Sequence, residues 1–98
     1  MITETTAGII KVAIIEDRRE IRESLAMLIG GTTGFECIGA YRSMEDALPR
    51  IGANLPDIVL SDIGLPGMDG IEGIKILRSC LNIRQFLFLS SKMTNIIA

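Results

Sequence analysis

Two stretches decide the fold: IIKVAIIED, residues 9–17, and DIVLSDIGLPGMDG, residues 57–70. Each starts as an apolar run and then turns acidic. The first ends in Glu16 and Asp17, and the second reaches Asp62 before a turn rich in glycine and proline. Runs that are apolar on both faces are typical of parallel strands covered by helices on both sides. Because the carboxyl ends of neighbouring parallel strands meet at one edge of a sheet, we predict that the three carboxylates share one crevice.

Two further apolar runs, FECIGAY and QFLFLS, bring the strand candidates to four, at residues 9–15, 35–41, 57–61 and 85–90. Segments with apolar residues at helical spacing separate these runs. Strands that alternate with helical segments are typical of βαβ units, so we predict an α/β domain with a doubly wound parallel sheet. The last residues, SKMTNIIA, are expected to begin a fourth helix.

Each helical segment has a candidate start signal. Ser43 precedes a short helix over residues 44–51, which Pro49 is expected to end or kink. Asp69 precedes the third helical segment and Asp17 precedes the first, so both are candidate caps. Capping is therefore one interpretation of Asp17, and cation binding is another.

Composition narrows the function classes. The chain has 98 residues, of which 48% are hydrophobic, but no apolar stretch approaches the ~20 residues that a membrane-spanning helix needs. The net charge is −2, and Lys and Arg form no dense cluster, so we expect no direct nucleic-acid binding by this chain. The first residues lack the features of a signal peptide, which indicates a cytoplasmic protein. We expect a flexible tail over residues 1–8 and one domain over residues 9–98.

The cysteines and the missing histidine exclude some chemistry. The chain has no His, and its two cysteines, Cys37 and Cys80, are far apart in sequence. Zinc binding and a Cys-His nucleophile are therefore not expected. We predict two reduced, largely buried thiols.

The acidic residues at the strand ends favour a hard cation. Taken alone, Asp62 could form a turn and Glu16 could be a solvated strand end. Together with Asp17 they form a crowded set of like charges, which raise each other's pKa unless a cation or a basic group compensates them. Mg²⁺ suits such a site because it takes oxygen ligands and commonly uses one or two carboxylates. The spacing of an EF-hand and the motif of a P-loop are both missing.

The acids, the SDIGLPGMDG segment and Ser90 resemble the receiver domain of two-component response regulators, from about Ile9 to the last residue. The MDG after Asp62 and the overall sequence pattern are most similar to those of the NarL/FixJ-type branch. The resemblance implies a flavodoxin-like sheet with strand order 2-1-3-4-5. This chain stops within the expected fourth helix, so the fifth strand, the fifth helix and the family's lysine are expected to be missing from it.

The resemblance also implies roles for individual residues. Asp62 corresponds to the phosphoacceptor, which takes a phosphoryl group from a sensor histidine kinase. Glu16, Asp17, Asp62 and the backbone carbonyl of Gly64 would hold Mg²⁺, and Ser90 would donate a hydrogen bond to the phosphoryl group. The implied protein is a signalling domain rather than a dedicated enzyme. Its implied output is transcription regulation through a DNA-binding domain outside this chain.

Two other functions stay open from the sequence. A degenerate receiver would act only as a protein-interaction module. A haloacid-dehalogenase-like phosphatase would also use an aspartate nucleophile and Mg²⁺, but it needs a second acid where this chain has Gly64. Separately, the fourth apolar run would be an edge strand without a fifth neighbour, so we predict a homodimer through residues 85–98.

Overall fold

The computed structural model describes residues 8–90 as alternating strands and helices. The strands are β1 (Ile10–Ile15), β2 (Phe35–Tyr41), β3 (Ile58–Asp62) and β4 (Gln85–Leu89). The helices are α1 (Arg19–Gly30), α2 (Met44–Ile51) and α3 (Gly70–Cys80). All strand pairings are parallel, in the order β2-β1-β3-β4, which confirms the predicted α/β class and the first four positions of the expected sheet. The predicted tail, apart from Gly8, and the predicted fourth helix at 91–98 lie outside the described residues.

The main core lies between the sheet and the helices α2 and α3. Alternate residues of a strand point to opposite faces. Ala13, Ile15 and Val59 face this core from the sheet, and they pack against residues of the two helices and of the loops beside them. The helix and loop residues of the core are Met44, Ala47, Ile51, Leu65, Ile74, Leu77 and Ile83. On the opposite face Val12 and Ile14 are also buried, and α1 contacts β1 and β2.

At two of its glycines, α3 packs closely against α2 and against the end of β3. A Cβ on Gly73 would overlap the buried side chain of Met44 in α2. A Cβ on Gly70 would overlap the backbone of Asp62. Both glycines are therefore needed for the close approach that seats the loop after β3.

Two of the three predicted caps are confirmed. The Ser43 hydroxyl accepts a hydrogen bond from Asp46 N–H, and the Asp69 carboxylate accepts one from Glu72 N–H. The capping interpretation of Asp17 is wrong, because α1 begins at Arg19 and its N-cap is Arg18, which makes no side-chain cap. The carboxylate of Asp17 precedes the cap position and lies among other acids.

The exposure of the cysteines corrects one prediction. Cys37 is half-buried but Cys80 is exposed, so the prediction of two largely buried thiols is wrong. The reason is that Cys80 ends α3 on its solvent side.

In the described part of the chain β4 pairs with β3 alone, and Leu87 and Phe88, on opposite faces of the strand, are 44% and 43% exposed. The predicted homodimer segment, 85–98, extends outside the described residues.

Pro49 lies inside α2, which ends two residues later at Ile51. The helix therefore has the predicted bounds, 44–51, and continues for two residues beyond the proline. Proline has no N–H, so it removes one hydrogen bond to the preceding turn without ending this helix. Within residues 8–90, every helix is too short or too polar to cross a bilayer.

Candidate metal centre

Three carboxylates meet at the carboxyl edge of the sheet, where β1 and β3 lie side by side. Ile15 pairs with Ser61 in the sheet register, so the residues that follow each of them are neighbours. One carboxylate oxygen from each of Glu16, Asp17 and Asp62 lies within 4.8 Å of the other two. The structure thus brings together the three acids that the sequence placed in one crevice.

Within the described residues, every polar group of Glu16 except one carboxylate oxygen makes a hydrogen bond. Its N–H donates to the Tyr41 carbonyl at 2.9 Å, and its Oε2 accepts from Arg18 N–H at 2.9 Å. Its own carbonyl accepts from Nη1 of Arg22, also at 2.9 Å. The side chain is fully buried, and Oε1 has no hydrogen-bond donor in the described part of the chain. One oxygen of Glu16 therefore remains available for a cation.

Asp62 is the last residue of β3 and is 1% exposed. Its Oδ1 accepts from Gly64 N–H at 3.2 Å, which orients the carboxylate. Its Oδ2 is buried and accepts no hydrogen bond from residues 8–90. The buried carboxylate thus presents one fixed oxygen and one open oxygen.

Ser90 lies at the same edge as Asp62. Asp62 pairs with Leu89 in the sheet register, and Ile63 N–H donates to the Leu89 carbonyl at 3.0 Å. Ser90 directly follows Leu89 and is exposed. The backbone of Ser90 therefore lies next to the strand end that carries Asp62, and the role of its hydroxyl stays a prediction.

The electrostatics of the cluster favour a bound cation. Burial raises the pKa of Glu16 above its ordinary value, while the hydrogen bond from Arg18 N–H opposes this rise. The negative charges of Asp62 and Asp17 raise this pKa further. A divalent cation would remove this repulsion and satisfy the open oxygens of Glu16 and Asp62. The ligand atoms on offer are all oxygen, which suits Mg²⁺ rather than a soft metal.

The loop between β3 and α3 is fixed from α2. Oε2 of Glu45 accepts a hydrogen bond from Met68 N–H at 2.8 Å, and this bond lowers the pKa of Glu45. Gly67 beside it has φ of +75°, and a Cβ there would lie 2.6 Å from the same oxygen. The loop that contains Gly64 is thereby tied to a second element of the fold.

Sequence reasoning missed Arg22 and Glu45. Arg22 follows Asp17 by five residues and Glu16 by six, so its position near the start of the first helix is a signal that could have indicated a contact. Glu45 contacts a residue 23 positions away, and no local pattern reports such a contact.

Comparison with protein families identifies the fold independently. The family model of the response regulator receiver domain matches residues 12–96. A protein-glutamate methylesterase/protein-glutamine glutaminase of Paramagnetospirillum magneticum is 42% identical over 69 residues, which cover 69% of this chain and 20% of that protein. The transcriptional regulatory protein LnrK of Bacillus subtilis is 34% identical over 82 residues, which cover 84% of this chain and 37% of that protein. The chain thus spans well under half the length of these curated relatives.

Solved structures agree with this match. The signal receiver domain of NarL from Mycobacterium tuberculosis superposes with a TM-score of 0.77 at 27% identity, over 86% of this chain and 68% of that one. The response regulator domain of CheB from Thermotoga maritima gives a TM-score of 0.79 at 22% identity, over 87% of this chain and 63% of that one. The second likeness supports the fold alone.

Proposed function

The chain belongs to the response regulator receiver domain family, and we propose that it accepts a phosphoryl group on Asp62 in a Mg²⁺-dependent reaction. In this proposal the donor is the phosphohistidine of a sensor histidine kinase, and the reaction takes place in the cytoplasm. The observation that carries the proposal is the cluster of Glu16, Asp17 and Asp62 within 4.8 Å. The buried, open oxygens of Glu16 and Asp62 support it, because such oxygens are costly unless a cation or a donor meets them.

The proposed metal ligands are the carboxylates of Glu16, Asp17 and Asp62 and the backbone carbonyl of Gly64. When bound, Mg²⁺ would neutralise the phosphoryl oxygens and help to align donor and acceptor. Different hydrogen bonds hold Glu16 and Asp62 in position. Glu16 is held by its backbone and by Arg18, while the Asp62 carboxylate is oriented by Gly64 N–H.

Asp62 supplies the nucleophile. An oxygen of its carboxylate attacks phosphorus, and the bond from phosphorus to the imidazole nitrogen of the donor breaks as the new bond to oxygen forms. The electron pair of the broken bond stays with the imidazole. Burial of Asp62 keeps bulk water from the carboxylate, so the phosphoryl group meets a preorganised acceptor. The Ser90 hydroxyl, at the neighbouring strand end, would donate a hydrogen bond to a phosphoryl oxygen.

The output lies outside this chain in our proposal. We propose transcription regulation through a DNA-binding domain, which the likeness to LnrK supports. The likeness to the methylesterase indicates a second candidate output, since the same receiver step could control such an enzyme. Homodimer formation through residues 85–98 is a further part of the proposal, supported by the exposure of Leu87 and Phe88 on β4.

Phosphorylation by acetyl phosphate tests the proposal. Intact mass spectrometry would follow the wild type, Asp62→Asn and Asp69→Asn, with and without Mg²⁺. Asp69 is a matched control because it lies in the same loop, outside the cluster, and asparagine caps a helix as well as aspartate does. We expect the wild type and Asp69→Asn to gain one phosphoryl group only with Mg²⁺, and Asp62→Asn to gain none.

Other outcomes would separate the alternatives. Equal uptake by Asp62→Asn would show that the acceptor is a different residue. A wild type that binds Mg²⁺ but takes up no phosphoryl group would be a degenerate receiver, and release of free phosphate with sustained turnover would favour a phosphatase.

A further inference from the structure

The side chain of Arg22 contacts the backbone carbonyls of both acidic residues that follow β1. It is the fourth residue of α1, and its side chain folds back along the helix. Nη1 donates to the Glu16 carbonyl at 2.9 Å and lies 3.5 Å from the Asp17 carbonyl. Arg19, one turn earlier on the same helix, points away and pairs with Glu23. Arg22 thus contacts the backbone of the acidic cluster, whereas Arg19 forms a surface ion pair.

The contact completes the hydrogen bonding of the Glu16 backbone. Its N–H and its Oε2 are already engaged by Tyr41 and Arg18. A carbonyl in this part-buried position needs a donor, and Arg22 supplies it. Without Arg22, the Glu16 carbonyl would lose its donor, and the peptide between the first two carboxylates would be held less firmly, which would loosen the position of Oε1.

We propose that Arg22 is a positioning residue for the Mg²⁺ site, acting through the Glu16 and Asp17 carbonyls. This inference rests on the proposed function, because it assumes that the cluster binds Mg²⁺. The planar guanidinium suits the task, since its donors have fixed directions and less freedom is lost for each hydrogen bond that it makes.

Charge and positioning make opposite predictions for this residue. The guanidinium is positive and lies beside a cation site, so its charge alone opposes Mg²⁺ binding. If Arg22 acted only through charge, its removal would strengthen Mg²⁺ binding. If it acts by positioning, its removal weakens binding, because outer partners that orient metal ligands commonly contribute about 10-fold or more to metal affinity.

The experiment is calorimetric titration of the metal-free 98-residue chain with MgCl₂. Four proteins are compared: the wild type, Arg22→Met, Arg22→Lys and Arg19→Met. We expect Arg22→Met to bind Mg²⁺ about 10-fold more weakly, and Arg22→Lys to lie between it and the wild type, because an ammonium can reach one carbonyl. Arg19→Met, which removes the same charge from the same helix, should bind like the wild type or slightly more tightly.

A second measurement needs no metal. Amide hydrogen exchange at residues 16–18 of the metal-free proteins should be faster in Arg22→Met than in Arg19→Met, since the freed carbonyls loosen this segment. Circular dichroism confirms that each variant is folded at the temperature used. If Arg22→Met is unfolded, Arg22→Lys still decides, because it retains the charge and loses the fixed fork.

The two proposals can fail separately. A wild type that shows no Mg²⁺ binding overturns the proposed metal site and this inference with it. A wild type that binds, with Arg22→Met or Arg22→Lys binding as tightly or more tightly, overturns the inference alone. Unchanged exchange at residues 16–18 in Arg22→Met also overturns it.

Discussion

Replacing Gly73 by alanine should destabilise the wild type but stabilise a variant that already carries Met44→Ala. In the wild type the new Cβ overlaps Cγ, Sδ and Cε of Met44, which is fully buried and cannot swing into solvent. Overpacking of this kind costs about 1–3 kcal/mol, against a gain of about 1 kcal/mol from replacing glycine in a helix. The net loss is therefore up to about 2 kcal/mol.

The sign reverses once the methionine is shortened. Met44→Ala alone should cost about 2–5 kcal/mol, because it leaves a cavity in the core. Adding Gly73→Ala then places a methyl group in that cavity, which contributes about 0.8 kcal/mol by burial and about 1 kcal/mol by helix propensity. The two substitutions should be coupled by about 2–4 kcal/mol, which reaches from the upper part of the usual range for residues in contact to slightly above it.

Urea unfolding followed by far-ultraviolet circular dichroism measures the free energy of unfolding of the wild type, the two single variants and the double variant. Gly30→Ala is the control, because a Cβ at this helix-terminal glycine meets no atom within 4 Å. It should have the same small effect in both backgrounds. If Gly73→Ala changes stability equally in both backgrounds, the close contact between α2 and α3 does not have the role assigned to it.

Three further outcomes follow. Glu16→Gln should stabilise the metal-free protein near neutral pH, because the raised pKa of Glu16 means that its charged form destabilises the fold. Wild-type stability should therefore fall, relative to this variant, as the pH rises from 4.5 through the raised pKa, and parallel urea-derived curves would contradict this. Glu45→Ala should speed exchange of the Met68 amide, whereas Glu45→Gln, which keeps an acceptor, should slow it again; equal protection in all three proteins would refute the role of Glu45 in holding the loop. The chain should dimerise through residues 85–98, so light scattering should show a mass that rises with concentration and falls in Leu87→Lys; a constant monomer mass would refute this.

Much of the fold could be predicted from the sequence because apolar runs and helical spacing are local signals. The four runs became four strands, with ends shifted by at most one residue. Asp62, for example, belongs to β3 itself, because its backbone pairs with Leu89. The placement of the acids followed from a general property of parallel sheets, which needs no knowledge of side-chain contacts.

The error at Asp17 arose because this residue had two competing uses. Asp17 suits a helix cap, and it also suits a crowded acidic edge. The structure starts α1 two residues later, and this leaves the carboxylate beside Glu16 and Asp62. The contacts of Arg22 and Glu45 were missed for another reason, since each depends on how separate elements pack.

Locating the phosphoryl group tests the central claim most directly. The chain is treated with acetyl phosphate and Mg²⁺, the product is reduced with borohydride, and peptide mass spectrometry identifies the residue that was modified. An acyl phosphate on aspartate is reduced to the corresponding alcohol, so the label marks the acceptor. We predict that the label is found at Asp62 and depends on Mg²⁺. A label on any other residue, or none in a protein that binds Mg²⁺, would contradict the account.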